Sequence, residues 1–132
     1  MMAGYTSAYA LLKAFLASVG HPNVARQVPA NLAYALPIHI VQRFGGADRG
    51  NWLDVARVDI DTFASSEDTA EEVAEQIRTA MRTQLVRYIH DGSAVSKVET
   101  MSAPRLLPWE SGDAFRCVAA YQLTVHRFVG VS

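Results

Sequence analysis

A change of periodicity in the middle of the chain constrains the fold most. Residues 53–64, LDVARVDIDTFA, alternate between apolar and polar side chains, which is typical of a β-strand with one buried face. From residue 65 onward the apolar side chains recur every three or four positions, which predicts an amphipathic helix. Ser65 or Ser66 can cap this helix, and HDG, residues 90–92, is expected to end it. A strand therefore leads directly into a long helix.

The N-terminal part of the chain predicts another helix and another strand. Residues 5–19 carry one apolar stripe and are followed by a glycine and a proline, so they predict a helix that stops there. Residues 21–37 have no sustained period and predict an extended connector. The β-branched residues of PIHIVQRF, 37–44, predict a strand. GGADRGNW, residues 45–52, predicts a flexible loop that completes a hairpin with the strand at 53–64.

The C-terminal part of the chain predicts two more strands. Residues 94–109 form a weaker one, because Pro104 and Pro108 interrupt it and mark an edge or an irregular arm. Residues 115–128 alternate most clearly of all. We therefore predict a single α+β domain over residues 1–132. Its sheet is mainly antiparallel and four-stranded, with two helices packed on one face in the order α-β-β-α-β-β.

Composition excludes several classes of protein. Half of the 132 residues are hydrophobic, and the formal net charge of −1 gives no electrostatic reason for tight nucleic-acid binding. The lone Cys117 excludes an internal disulfide and a multi-cysteine zinc site. The N-terminal apolar run is broken by Lys13, and no stretch approaches the ~20 apolar residues of a membrane helix. We expect a soluble protein that is made inside the cell and has no contact with a membrane.

One group of residues is a candidate for chemistry. His39, Asp59, Asp61 and His126 lie on predicted strands, and carboxylate and imidazole groups are plausible metal ligands or acid and base partners. The arginines on the same strands offer an alternative, since they can pair with the carboxylates across the sheet or across an interface. The sequence favours charge pairing.

Other catalytic signatures are missing from the sequence. It contains no G-x-S-x-G, H-E-x-x-H, Walker-type or G-x-G-x-x-G motif. Cys117 alternates in step with the apolar residues of its strand, which favours an inert core thiol over a nucleophile. We therefore predict that the protein is not an enzyme and uses neither a metal nor a cofactor.

Two tryptophans fit a binding or assembly module. Trp52 and Trp109 stand beside predicted loops, outside any apolar stripe. Tryptophan is enriched at protein interfaces, although core packing explains either residue equally well. The Glu-rich face of the long helix is interpreted as solvated, with partner docking as the alternative.

Several segments together resemble one family of phage proteins. They are, in order, LLKAFLASVG, QVPANLAYALPIHIVQRFGG, ARVDIDTFA, AEEVAEQIRTAM and SAPRLLPWESGDAFRCVAAYQLTVHR. Their sequence and order are similar to the tail terminator proteins of long-tailed, siphovirus-type phages of actinobacteria. The resemblance extends from about Tyr5 to Arg127.

The resemblance implies a structural virion protein of the tail neck, made in the host cytoplasm. Proteins of this family form a ring, usually a hexamer, that caps the tail tube and stops its elongation. The ring provides the docking surface for the filled head, and DNA passes through its lumen without sequence-specific binding. The implied partners are sister subunits, the tail tube protein and a head-completion protein, with no catalytic residue and no cofactor. A different head–tail connector or stopper is the first alternative, and a small metal-dependent enzyme is the second.

A cyclic ring needs two different, complementary surfaces on each subunit. Charged groups at such surfaces set register and reject wrong partners. The predicted contact residues for a sister subunit or the tube lie on the polar side of the sheet, in the 45–54 loop and in the 103–110 arm. They are Arg43, Asp48, Arg49, Trp52, Arg57, Asp59, Asp61, Arg105 and Trp109.

Overall fold

The structure is a computed structural model that describes residues 7–50 and 53–127. Over these residues the chain forms two α-helices, one short 3-10 turn and one sheet. The helices are α1 (Ala8–Ser18) and α2 (Glu67–Thr83), and the 3-10 turn is Leu32–Tyr34. The strands are β1 (Val24–Ala25), β2 (Ile38–Arg49), β3 (Leu53–Ala64), β4 (Ile89–His90), β5 (Ser93–Leu107) and β6 (Phe115–Arg127).

The sheet is mixed and six-stranded, in the order β1-β2-β3-β6-β5-β4, and it curls into a half-barrel. The predicted four-stranded, mainly antiparallel sheet in the order α-β-β-α-β-β is therefore wrong. The prediction missed β1, which pairs in parallel with β2, and β4, which pairs with β5. Each has only two residues, too few to show a period, so tertiary pairing alone determines them.

The curl of the sheet has a local cause in its strand registers. Register shifts interrupt the β2–β3 pair between Arg43 and Gly46, and the β5–β6 pair at three places between Val95 and Arg105. An extra residue on one strand bends it and increases its twist. Pro104 lies in the last of these shifts, which explains how β5 accommodates a proline.

The β2–β3 hairpin is longer than predicted, and the predicted flexible loop is wrong over residues 45–49, while residues 51 and 52 lie outside the described residues. β2 continues as a strand to Arg49 because Gly45 and Gly46 form a bulge instead of a loop. Both glycines have positive φ, 95° and 115°, which other residues adopt at a cost. All side chains from residue 42 to residue 50 are exposed, so this half of the hairpin has little cover from the rest of the described chain.

The helices are close to their predicted positions, apart from one end. The Ser66 side chain accepts a hydrogen bond from the Thr69 backbone N–H at 3.1 Å and caps α2, as predicted. The helix ends at Thr83, however, and not at residues 90–92. Arg87 adopts a left-handed φ of 77° and redirects the chain into β4. No glycine or proline marks this turn in the sequence.

The main core lies between the helices and one face of the sheet, which we call the inner face. Both helices contribute to it, through Phe15 and Leu16 of α1 and through Ile77 and Met81 of α2. The sheet contributes the even-numbered residues of β3 and the odd-numbered residues of β6. They include Ala56, Val58, Ile60, Ala119, Tyr121, Leu123 and Val125.

A second, smaller core covers one end of the opposite face, which we call the outer face. It joins Leu32, Ile38, Ile40, Phe63 and Ala114, all buried. Ile38 and Phe63 are register partners on β2 and β3, and the connector before β2 packs over them. The rest of the outer face mixes polar side chains with small apolar ones such as Ala120 and Val118.

The bulge at Gly46 can be tested by substitution. A Cβ at this position would lie 1.8 Å from the Val55 carbonyl oxygen, whereas a Cβ at Gly45 would meet no atom within 4 Å. Both substitutions with alanine carry the left-handed backbone cost of ~1–2 kcal/mol. We expect Gly46→Ala to lower the free energy of unfolding by a further ~1–3 kcal/mol, the usual cost of overpacking. Urea unfolding of both variants measures this difference, and equal losses would contradict the bulge geometry.

Candidate interaction surface

A row of polar side chains crosses the outer face at the middle of the sheet. The Arg57 Nε–H of β3 donates to Gln122 Oε1 of β6 at 3.2 Å, and the Gln122 amide donates to Glu99 Oε1 of β5 at 3.2 Å. Lys97 Nζ lies 3.7 Å from the same Glu99 oxygen. The four side chains are connected across three strands, so each restricts the position of the next. The sequence predicted Arg57 here but not its three partners.

Two carboxylates lie next to this row on β3. Asp59 and Asp61 are half-buried, and their register partners on β6 are Ala120 and Val118. Within the described part of the chain, neither carboxylate has a hydrogen bond or an ion pair. Burial raises the pKa of both, and attraction from Arg116 offsets part of the shift for Asp61. These carboxylates therefore carry a desolvation cost that the described chain offsets only in part, at Asp61.

Three other predicted contact residues are exposed. Asp48 and Arg49 lie at the end of β2, on the projecting part of the hairpin. Arg105 of β5 is opposite Val118, which is opposite Asp61, so the three residues form one line across the sheet. Arg49 and Arg105 therefore lie on the outer face with Asp59 and Asp61, so its polar part alternates in charge, whereas Asp48 pairs with Asp54 and lies on the inner side.

Arg43 was predicted to belong to the same surface, but the structure places it on the inner face, opposite Val58. Its guanidinium donates two hydrogen bonds of 2.7 Å to the buried carboxylate of Asp54, and its Nε donates to the Gly45 carbonyl. The bond to Asp54 raises the pKa of Arg43. This pair connects β2 to β3 across the bulge, so its main role is within the chain.

Of the two tryptophans predicted as contact residues, the structure describes only Trp109. Trp109 packs edge-on against Phe63 with 4.9 Å between ring centroids, and its Nε1–H donates to Asp113 at 3.0 Å. The Arg116 guanidinium lies 5.4 Å from the centroid of the indole ring. Trp109 is therefore packed against the second core, which favours the packing interpretation. Trp52 lies outside the described residues.

The four residues of the alternative metal site do not come together. His39 lies on the inner face, buried, with Nδ1 at 3.1 Å from Thr62 Oγ1, while Asp59 and Asp61 lie on the outer face. Burial and the neighbouring His21 lower the pKa of His39 to about 4, so its ring is neutral at pH 7. His126 pairs with Leu53, six residues from Asp59, or about 20 Å at the usual strand rise. The described residues contain no group of three or more His, Cys, Asp or Glu side chains that could hold a metal.

The lone cysteine is buried, as predicted. Cys117 packs with Ala64, Ala70 and Ala74 between β6 and α2. Burial raises the pKa of its thiol to about 11, so the thiolate is scarce at neutral pH. The core interpretation of Cys117 is confirmed.

Comparison with known proteins adds no assignment. Neither a protein-family model nor a curated protein sequence matches this chain. None of the described helices combines the length and apolar character needed to cross a bilayer. The function therefore has to be inferred from the residues and their geometry.

The different roles of two arginines can be measured. Arg43→Ala leaves the buried Asp54 carboxylate without its partner, so we expect a loss of ~1–3 kcal/mol in the free energy of unfolding. Arg57→Ala removes one hydrogen bond at an exposed position and should cost less than ~0.5 kcal/mol. Chemical denaturation of dilute protein compares the two. A loss for Arg57→Ala as large as that for Arg43→Ala would mean that the polar row is structural.

The desolvated carboxylates predict a dependence of stability on pH. A raised folded-state pKa means that ionised Asp59 and Asp61 destabilise the native state at pH 7. As the pH falls through the raised values toward the ordinary 3.8, the native state takes up protons before the unfolded chain does, and the penalty disappears.

We therefore expect Asp59→Asn/Asp61→Asn to be more stable than the wild type at pH 7, with the difference shrinking toward pH 4. Urea unfolding at both pH values measures it. The double variant Glu71→Gln/Glu72→Gln, on the exposed side of α2, is the matched control and should show little difference. If the aspartate variant is less stable at pH 7, the carboxylates have stabilising partners and this description of the surface is wrong.

Proposed function

We propose that this protein is a structural tail terminator of a long-tailed phage. In this role its copies form a ring in the neck of the virion, cap the tail tube and stop its elongation. The ring also provides the docking surface for the head and lets DNA pass through its lumen. The proposal combines the order of the segments that resemble this family with the surfaces described above.

One observation supports this function more than any other. Two parts of the sheet have few contacts within the described chain: the side chains from residue 44 to residue 50 are exposed, and Asp59 and Asp61 have no hydrogen bond or ion pair there. Features that reduce the stability of the isolated chain are expected where function requires them. Contact with another protein would supply partners for these carboxylates and cover the hairpin.

The arrangement of the polar side chains suits protein contact better than catalysis. A row of three side chains runs across β3, β6 and β5 on the outer face, formed by Arg57, Gln122 and Glu99. Their hydrogen bonds fix their positions. A fixed row of alternating charge gives a partner one favourable register and penalises others. His39 faces the other side of the sheet, and His126 lies about 20 Å from Asp59 along the strands, so neither imidazole of the enzyme hypothesis lies beside the two carboxylates.

The position on the tube provides the test. Purified protein is added to tail tube subunits that are elongating in vitro, and tube lengths are measured by negative-stain electron microscopy. We expect short tubes of uniform appearance with extra density at one end, because a terminator blocks the surface to which the next subunits add. Tubes of unchanged length without end density would contradict the proposal.

Electron microscopy of the particle separates the terminator from the alternative connector or stopper. A terminator contacts the last ring of tube subunits, whereas a stopper lies on the head side and does not touch the tube. Labelled protein that binds the head-side opening and leaves tube growth unchanged would identify the alternative role.

A further inference from the structure

The outermost strands at the two edges of the sheet, β1 and β4, are too short to pair with the full length of their neighbours, β2 and β5. β1 pairs with β2 only at His39 and Ile40, so no strand of the described chain borders β2 over residues 42–49. On the other side, β4 and the Tyr88 backbone cover β5 only as far as Val95. From there to Pro104, residues 96–103 of β5 likewise have no described strand beside them.

Backbone groups point outward along both uncovered stretches. The His39 N–H donates to the Asn23 carbonyl on the β1 side, and every second residue of a strand points the same way. After the bulge, Gly46 is opposite Ala56 and Asp48 is opposite Asp54. The backbone N–H of Asp48 therefore also points outward. On β5, the Val95 N–H donates to the Tyr88 carbonyl and so points away from β6. Val95 and Thr100 are both opposite odd-numbered residues of β6, so the Thr100 N–H points outward as well.

The two stretches are complementary in direction and length. The pairs β2–β3, β3–β6 and β6–β5 are all antiparallel, so β2 and β5 run in opposite directions within one subunit. When two copies are related by rotation about an axis along the strands, β5 of one copy therefore meets β2 of the next in antiparallel orientation. Residues 42–49 and 96–103 are both eight residues long.

We propose that the free edge of β2, residues 42–49, pairs with the free edge of β5, residues 96–103, of a second copy of this chain. The contact extends the sheet from subunit to subunit by an antiparallel backbone ladder. This inference rests on the proposed ring, since it assigns the two different surfaces that a heterologous ring requires. Pro104 ends the ladder on β5, because a proline has no N–H to donate.

A second copy fits these edges better than an unrelated strand. An uncovered strand edge presents unsatisfied N–H and C=O groups, and proteins that do not use such an edge usually shorten or cover it. Here both edges of the sheet are left open over at least eight residues, in orientations that satisfy each other. Each stretch also carries exposed or half-exposed side chains of both charges, Asp48 and Arg49 on β2, beside Arg43 that pairs with Asp54 within the subunit, and Lys97 and Glu99 on β5. Opposite charges can therefore meet across the contact.

Two proline variants test the contact. Asp48→Pro and Thr100→Pro each remove one outward N–H and leave the hydrogen bonds inside the subunit intact, so circular dichroism and urea unfolding should show a folded chain. Asp48→Ala and Thr100→Ala are the matched controls, because they change the same side chains but keep the N–H groups. Analytical ultracentrifugation over a range of concentrations measures assembly, and the tube-elongation assay measures capping.

We expect each proline variant to reduce the assembled fraction at least tenfold, while its alanine control assembles like the wild type. A mixture of the two proline variants should form a dimer that neither forms alone, because one intact β2 edge and one intact β5 edge remain. The mixture should not form rings. This mixed dimer is specific to a contact between two different edges.

Three outcomes would overturn the edge contact. The first is assembly of the proline variants at the wild-type level, and the second is equal loss in the alanine controls. The third is a wild-type chain that stays monomeric in solution while both proline variants still cap tubes.

The proposed function can fail separately from the edge contact. Rings that depend on both edges but never stop tube growth would support the contact and contradict the terminator role. A chain that neither assembles nor caps tubes would contradict both.

Discussion

The antiparallel pairing of β3 with β6 is the interaction on which the rest of the structure depends. It runs without a register shift from Leu53 opposite His126 to Ala64 opposite Phe115. Because the pairing is continuous, the side chains of both strands alternate strictly between the two faces of the sheet. The inner face receives the apolar residues that both helices cover, and the outer face receives Arg57, Asp59, Asp61 and Gln122. A slip of one residue would place these polar groups in the core.

This division separates the groups that stabilise the subunit from those that the proposed function assigns to recognition. The inner core and the Arg43–Asp54 pair hold the described chain together, including the start of the projecting hairpin. The outer carboxylates, the exposed end of the hairpin and the two open strand edges contribute little to the isolated subunit. Charged side chains on the outer face can select a partner, and backbone groups at the edges can hold it. A subunit of a ring needs both kinds of contact, which is why the proposed function and the edge contact fit one structure.

The long strands and helices could be predicted from the sequence, because each is long enough for its spacing of apolar residues to repeat several times. The alternation of residues 53–64 and 115–127 and the apolar stripes of the two helices predicted elements that the structure contains. The two-residue strands and the turn at Arg87 were not accessible, since tertiary contacts determine them and no local residue marks them. The double glycine at 45 and 46 was interpreted as a loop, because the same residue type serves loops and bulges.

The candidate surface was predicted only in part, for similar reasons. Asp59, Asp61 and Arg57 share a face, as the alternation of β3 requires. The register of β2, unbroken from Ile38 to Arg43, pairs Arg43 with Val58 and so places it on the other face. The second core had a sequence signal that was not used. Ile38, Ile40 and Val41 surround His39 in a nearly continuous apolar run, which is typical of a strand buried on both faces.

Amide hydrogen exchange followed from dilute to concentrated protein tests most directly whether the open edges and the outer face bind sister copies. We expect outward amides in residues 42–49 and 96–103 to become protected together as larger species form, while exchange in α2 does not change. Larger species in which both stretches exchange as fast as in the monomer would contradict it.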